Sequence, residues 1–102
     1  MLKASAVAGD DGPVVTLSGE ADWSSAAQLS ELMDAQLSAG AQQVRVDMSG
    51  LRFADSSSVR TLVLAGRALA QRGGTLVLLR PQPAVARVLE LMGADQLLVV
   101  QG

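Results

Sequence analysis

Histidine, cysteine and tyrosine are all missing from these 102 residues, and each absence removes a class of chemistry. Without cysteine there is no disulfide framework, no thiolate metal site and no thiol nucleophile. Without histidine there is no Ser-His-Asp triad, no imidazole-held zinc and no histidine general base. Neither a metal nor a cofactor is expected. Aromatic side chains are almost absent too: Trp23 and Phe53 are the only two, which leaves little to stack on bases or flat cofactors. The core must therefore be built from Leu, Val, Ala and Met. Lys3 is the single lysine, net charge is −2 and the arginines are scattered, a balance that argues against nucleic acid as a partner. No apolar run approaches the roughly 20 residues of a membrane span, and the first residues lack the charged-then-apolar order of a signal peptide. The expectation is a cytoplasmic protein with no membrane association.

What is present suffices for one domain over residues 1–102, long enough to bury roughly 60–65% of its unfolded surface without staples. Residues 2–8 alternate weakly as a first strand. Gly9-Asp10-Asp11-Gly12-Pro13 is dense turn chemistry, and Val14 to Gly19 follows as the other arm of a hairpin. After Glu20-Ala21-Asp22, a helix from Trp23 or Ser24 to Ser38 would bury Ala26, Leu29, Met33 and Leu37, with Ser25 and Gln28 spaced as a capping box and Ala39-Gly40 as its stop. Val44, Val46 and Met48 alternate with Arg45 and Asp47 in a third strand, about 43–48, which Ser49-Gly50 should end in a turn. Val59, Leu62, Val63, Gly66, Leu69 and Ala70 then recur with a helical period up to Gly73-Gly74. Thr75 to Leu79 is apolar without alternation, as in a central strand covered on both faces. Pro81 and Pro83 open a short helix closed by Gly93, and Leu97 to Val100 reads as a last strand. The order ββαβαβαβ predicts an α/β fold whose mixed sheet joins an N-terminal hairpin to parallel strands with right-handed crossovers.

The chemistry concentrates in Phe53-Ala54-Asp55-Ser56-Ser57-Ser58, where a strand pattern gives way to a helix pattern. Asp55 is placed to cap the helix, accepting from its free N–H groups. Small hydroxyl residues in that first turn lie where the helix dipole favours negative charge, so a phosphate is tolerated there. Glu20 and Asp22, just before the first helix, should share a surface with Asp55, because strand-to-helix loops gather along one edge of such a sheet. Trp23 reads as a partly buried staple. The Arg60/Leu64/Arg67 stripe reads as a solvated helix face. Gly73-Gly74-Thr75 is no phosphate loop, since it precedes a strand and lacks the Gly-Lys-Ser/Thr end. A phosphoacceptor receiver domain would need, besides an acidic pair after the first strand, a lysine late in the chain, and Lys3 is the only lysine here. Serines with no histidine, lysine or metal ligand nearby have no activating base, so an enzyme is not expected.

Four pieces in order resemble the STAS-domain family, and within it the bacterial anti-sigma factor antagonists: Gly19-Glu20-Ala21-Asp22; Val44-Arg45-Val46-Asp47-Met48-Ser49; Phe53-x-Asp55-Ser56-Ser57; and Pro83-Ala84-Val85 through Leu89-x-x-x-Gly93. The resemblance spans Val14 to Val100. It implies a STAS-like fold and a binding switch rather than an enzyme. The regulatory phosphorylation of that family falls two residues after the signature aspartate, here Ser57. Partner contacts are then implied for Glu20, Asp22, Asp55, Ser56, Ser57 and Ser58. The implied partner is an anti-sigma factor serine kinase of the histidine-kinase-like ATPase type, whose capture frees a sigma factor, with a phosphatase to reset the switch. A phosphate brings about −1.5 to −2 charges to an edge already acidic, with no arginine cluster expected beside it. Ser58 stands where the family usually has glycine, which would put extra bulk and a competing hydroxyl where a partner approaches. Two rival readings are an unphosphorylated STAS scaffold or accessory subunit of a lipid transporter, and an adaptor in a stress-signalling assembly.

Overall fold

The computed structural model describes residues 1–102. Its elements are β1 (Leu2–Val7), β2 (Val14–Ala21), a 3-10 turn (Trp23–Ser25), α1 (Ala26–Ser38), β3 (Gln43–Ala54), α2 (Ser56–Ala70), β4 (Thr75–Leu79), α3 (Pro83–Leu91), α4 (Ala94–Leu97) and β5 (Val99–Gln101). The five strands lie side by side in chain order. β1 and β2 pair antiparallel, and every later pair is parallel. This is the mixed α/β sheet expected from the alternation of strand and helix patterns.

Side-chain alternation decides where the core sits. Ala6, Val15, Val46, Leu78 and Val100 pair across all five strands in one row. With Leu17, Val44, Met48 and Leu76 they face the helices, and 21 buried apolar side chains from sheet and helices form one cluster. The adjacent row, Val7, Val14, Arg45, Val77 and Val99, points the other way and carries no helix. β4 is thus covered by helices on one face only, against expectation. Val77 is still buried, outside the core cluster, because it sits mid-sheet between Arg45 and Val99.

Three boundaries differ from the sequence pattern. β3 does not stop at Ser49-Gly50 but runs on to Ala54, and β2 runs on through Glu20 to Ala21. Register shifts between Thr16 and Ser18, and between Gly19 and Glu20, absorb the irregularity. Gly50 makes this possible: a Cβ there would lie 3.0 Å from Ser18 Cβ, so only glycine lets the two strands close up without displacement. The last apolar run divides into the single turn α4 and the short β5, rather than one strand over 97–100. α2 ends as predicted, with the N–H of Gly74 donating to Leu69 O at 2.7 Å across a left-handed Gly73.

Candidate functional site

The site grows from the ends of β2 and β3. The N–H of Asp55 donates to Ala21 O at 3.0 Å, which ties the two strand ends together and places Asp22 beside Asp55. Each aspartate caps the helical turn that follows it. Asp22 Oδ1 accepts from the Ser24 N–H at 2.9 Å, and Ser25 Oγ accepts from the Asp22 N–H at 3.1 Å. The capping box therefore runs from Asp22 to Ser25, not from Ser25 to Gln28; Gln28 Nε2 donates instead to Leu2 O.

Asp55 Oδ1 gathers three donors from the first turn of α2: Ser57 Oγ at 2.7 Å, the Ser58 N–H at 3.0 Å and Ser58 Oγ at 3.0 Å. Partial burial works against the charge on this carboxylate, but the hydrogen bonds from Ser57, Ser58 and the Trp23 N–H outweigh it and hold the carboxyl below the usual aspartate range. The three serines are thereby sorted. Ser56 is exposed and makes no side-chain hydrogen bond. Ser57 is half-buried, with its hydroxyl proton directed to Asp55. Ser58 is only 1% exposed and belongs to the cap. The expectation that the Ser58 side chain meets an approaching partner is thus corrected: the outward positions of the turn are Ser56 and Ser57.

Glu20 belongs to a different neighbourhood. As a strand residue paired with Phe53, it is held by Arg52 and by the N-terminal ammonium of Met1, 3.0 Å from Oε1. The hydrogen bond from Arg52 is the larger of the influences that lower its pKa, followed by that of the ammonium. Glu20 lines a recess with Lys3, Ser18 and Gly50, apart from the one reached by the serines. Trp23 is no staple either. It is 80% exposed, because the 3-10 turn that Asp22 caps carries it outward at the lip of the core. Phe53 is 46% exposed, so both aromatic side chains of the chain reach solvent flanking Asp55.

The residues that sequence reasoning set aside are Arg60 and Arg67. They line a groove of about 470 Å³ together with Ser56, Ser57, Val63, Leu64, Met92 and Leu97. There is an arginine pair beside the serines after all. The seven-residue spacing was visible in the sequence, but the opposite wall, from Met92 and Leu97, needed the single turn of α4 that had read as strand.

Comparison with known proteins agrees with this architecture. The model of the family described as "Mlab, STAS domain" matches residues 5–100. The chain is 32% identical over 84 residues to BtrV of Bordetella bronchiseptica, provisionally named an anti-sigma factor antagonist, covering 81% of this chain and 72% of that protein. Among solved structures, it superposes on an anti-sigma factor antagonist from Mycobacterium paratuberculosis with a TM-score of 0.90 at 23% identity, over 99% of this chain and 86% of that one. Against SpoIIAA, described as an anti-sigma factor antagonist in its unphosphorylated form, the TM-score is 0.81 at 24% identity, over 98% and 87% of the two chains. Against the phosphorylated form of the Bacillus SpoIIAA it is 0.74 at 23%, over 98% and 90%. The chain belongs to the STAS-domain family. Members of this class bind and regulate; they are not enzymes. No helix of the chain is long and apolar enough to cross a membrane.

Proposed function

We propose that this protein is an anti-sigma factor antagonist whose docking is controlled by phosphorylation of Ser57. The observation that carries the proposal is the sorting of the three serines. Ser57 alone combines access to solvent with a hydroxyl oriented by a carboxylate, whereas Ser58 is buried in the cap and Ser56 is unoriented. The Ser57–Asp55 bond engages the hydroxyl hydrogen and leaves both lone pairs of Oγ without a donor, as attack on a phosphoryl group requires. The name given to BtrV and the presence of a phosphorylated form among the structures of similar fold support the same reading. The partner is an anti-sigma factor of the serine-kinase type, a histidine-kinase-like ATPase, acting in the cytoplasm with residues 1–102 working as one domain. It docks across Asp22, Asp55, Ser56 and Ser57. Glu20 serves from the neighbouring strand by keeping the β2–β3 end in place, and Ser58 by holding the cap. The kinase transfers phosphate to Ser57, and a phosphatase removes it.

The test is phosphorylation by the cognate kinase with ATP, followed by fragmentation to map the added group. The expected product carries it on Ser57; modification confined to Ser56 or Ser58 would refute the assignment. In calorimetry, Ser57→Ala should keep partner affinity and Ser57→Asp should lower it, with both variants folded. A second reading, a STAS subunit that works as a scaffold without phosphorylation, takes its support from the description of the matching family, which names Mlab rather than an antagonist. Equal affinities of the two Ser57 variants for the partner would favour that reading.

A further inference from the structure

Arg60 and Arg67 are separated by seven residues of α2, two turns or about 10.5 Å along the axis. Most arginines of this chain are already engaged: Arg45 with Asp11, Arg52 with Glu20, Arg80 with Asp47, and Arg72 on Ala41 O. Arg60 and Arg67 have no such partner, and no carboxylate lines the groove that they share. The rest of its lining, apart from the two serines at one end, is apolar. Leu64, Met92 and Leu97 stand 50%, 40% and 57% exposed, a concentration of wet apolar side chains between two unneutralised cations. The comparably sized recess beside the β1–β2 turn offers no such pairing, since it is lined by small residues and backbone with no charged side chain.

We infer that the groove seats an acidic amphipathic helix of the partner protein. Its apolar side chains cover Leu64, Met92 and Leu97, and two carboxylates seven residues apart meet Arg60 and Arg67. The match is geometric as well as electrostatic. Cations two turns apart on α2 meet residues two turns apart on a helix laid alongside, whereas an extended segment spans the same distance in about three residues and brings too few side chains to fill the trough. Guanidinium groups favour carboxylates because the pairing can be bidentate. With a net charge of −2, the molecule as a whole does not attract an acidic partner, so recognition falls to this local pair.

The inference deepens the proposed function, and rests on it only in one respect. Ser57 precedes Arg60 by one turn at the end of the groove. A phosphoryl dianion on Ser57 is thus an anion of the protein's own, able to pair with Arg60 and exclude the carboxylate of the partner. The phosphate then closes the groove by occupying its charge.

The probe is a synthetic peptide of about 18 residues, long enough to hold a helix, with two Glu seven apart, Leu on the same face and Ala elsewhere. It is titrated into the full ¹⁵N-labelled chain and followed by amide shifts. Shifts are expected along residues 56–67 and 92–97, with affinity falling about tenfold or more in the Arg60→Gln/Arg67→Gln double variant. A control peptide with Lys for Glu should not bind. Three results would overturn the inference: no shifts in the groove up to about 1 mM peptide, equal binding of the Lys peptide, or equal binding by the double variant. A third protein carries phosphoserine at position 57, installed during translation, and is expected to lose affinity for the peptide as the double variant does. If it binds like the unmodified chain while the arginine variant does not, the groove stands and the phosphate switch falls. If neither change matters, the groove falls whatever Ser57 does.

Discussion

Replacing Asp55 by alanine removes one acceptor atom that serves three donors, and the cost follows from where those donors sit. The cap on the first turn of α2 contributes about 1 kcal/mol. Ser58 is 1% exposed, so water cannot take over its N–H and hydroxyl, and leaving buried donors unpaired costs about 1–3 kcal/mol more. A total of about 2–4 kcal/mol, at about 5 °C per kcal/mol for a chain of this size, lowers Tm by about 10–20 °C at neutral pH. Asp55→Asn keeps an acceptor and gives up only the charge, so its loss should be about 0.5–1 kcal/mol. Because folding lowers the pKa of Asp55, the advantage of the ionised carboxylate is complete above the unfolded value of about 3.9 and disappears as pH falls through the folded value. Calorimetric scans of the three proteins at several pH values check this. The gap between wild type and Asp55→Asn should be level from about pH 5 to 8 and close below about pH 4. An alanine variant within about 2 °C of wild type, or a gap unchanged at pH 3, would show that the cap does not hold this helix.

Ser58→Gly should lower stability by about 1–2 kcal/mol, from a lost buried hydrogen bond and the poorer helix propensity of glycine, and leave partner affinity unchanged. Tighter partner binding by that variant in calorimetry would put the side chain back at the interface. Trp23→Ala should move stability by no more than about 0.5 kcal/mol, since the ring is 80% exposed, yet weaken partner binding about tenfold or more in the manner of an interface tryptophan. Unchanged affinity would show that the docking surface around Asp22 and Asp55 does not extend to Trp23.

Where a local signal and the tertiary requirement agreed, the sequence was a good guide. The turn at residues 9–13, the period of α2 and the aspartate at its start each specify one conformation, and all three appear in the structure. Ser49-Gly50 carries as strong a turn signal, but there the glycine serves the close approach of β2 and the strand continues. Leu97 to Val100 is apolar enough for a strand, yet Leu98 is drawn into the core against Gly66, which ends α4 and leaves only three residues to pair with β4. Trp23 failed for another reason. Apolar bulk at a helix start predicts burial only if the entry angle is known, and that angle is set by the cap on Asp22. That β2 and β3 end side by side, with Asp22 and Asp55 following the two strand ends, was legible from topology. The groove was not, because it is built between elements more than two dozen residues apart in the chain, Leu64 on one wall and Met92 on the other.

The crowding of three donors on one carboxylate oxygen makes the first turn of α2 tolerant of change at a single point. Of the three, only Ser57 Oγ belongs to a residue with access to water; the two from Ser58 are enclosed. A substituent on Ser57 would subtract one donor and leave the enclosed pair from Ser58 in place, so α2 would keep a capped start. With Ser57 as the modified residue proposed above, the mark would come and go without loosening the fold, and the stored information would be chemical rather than conformational.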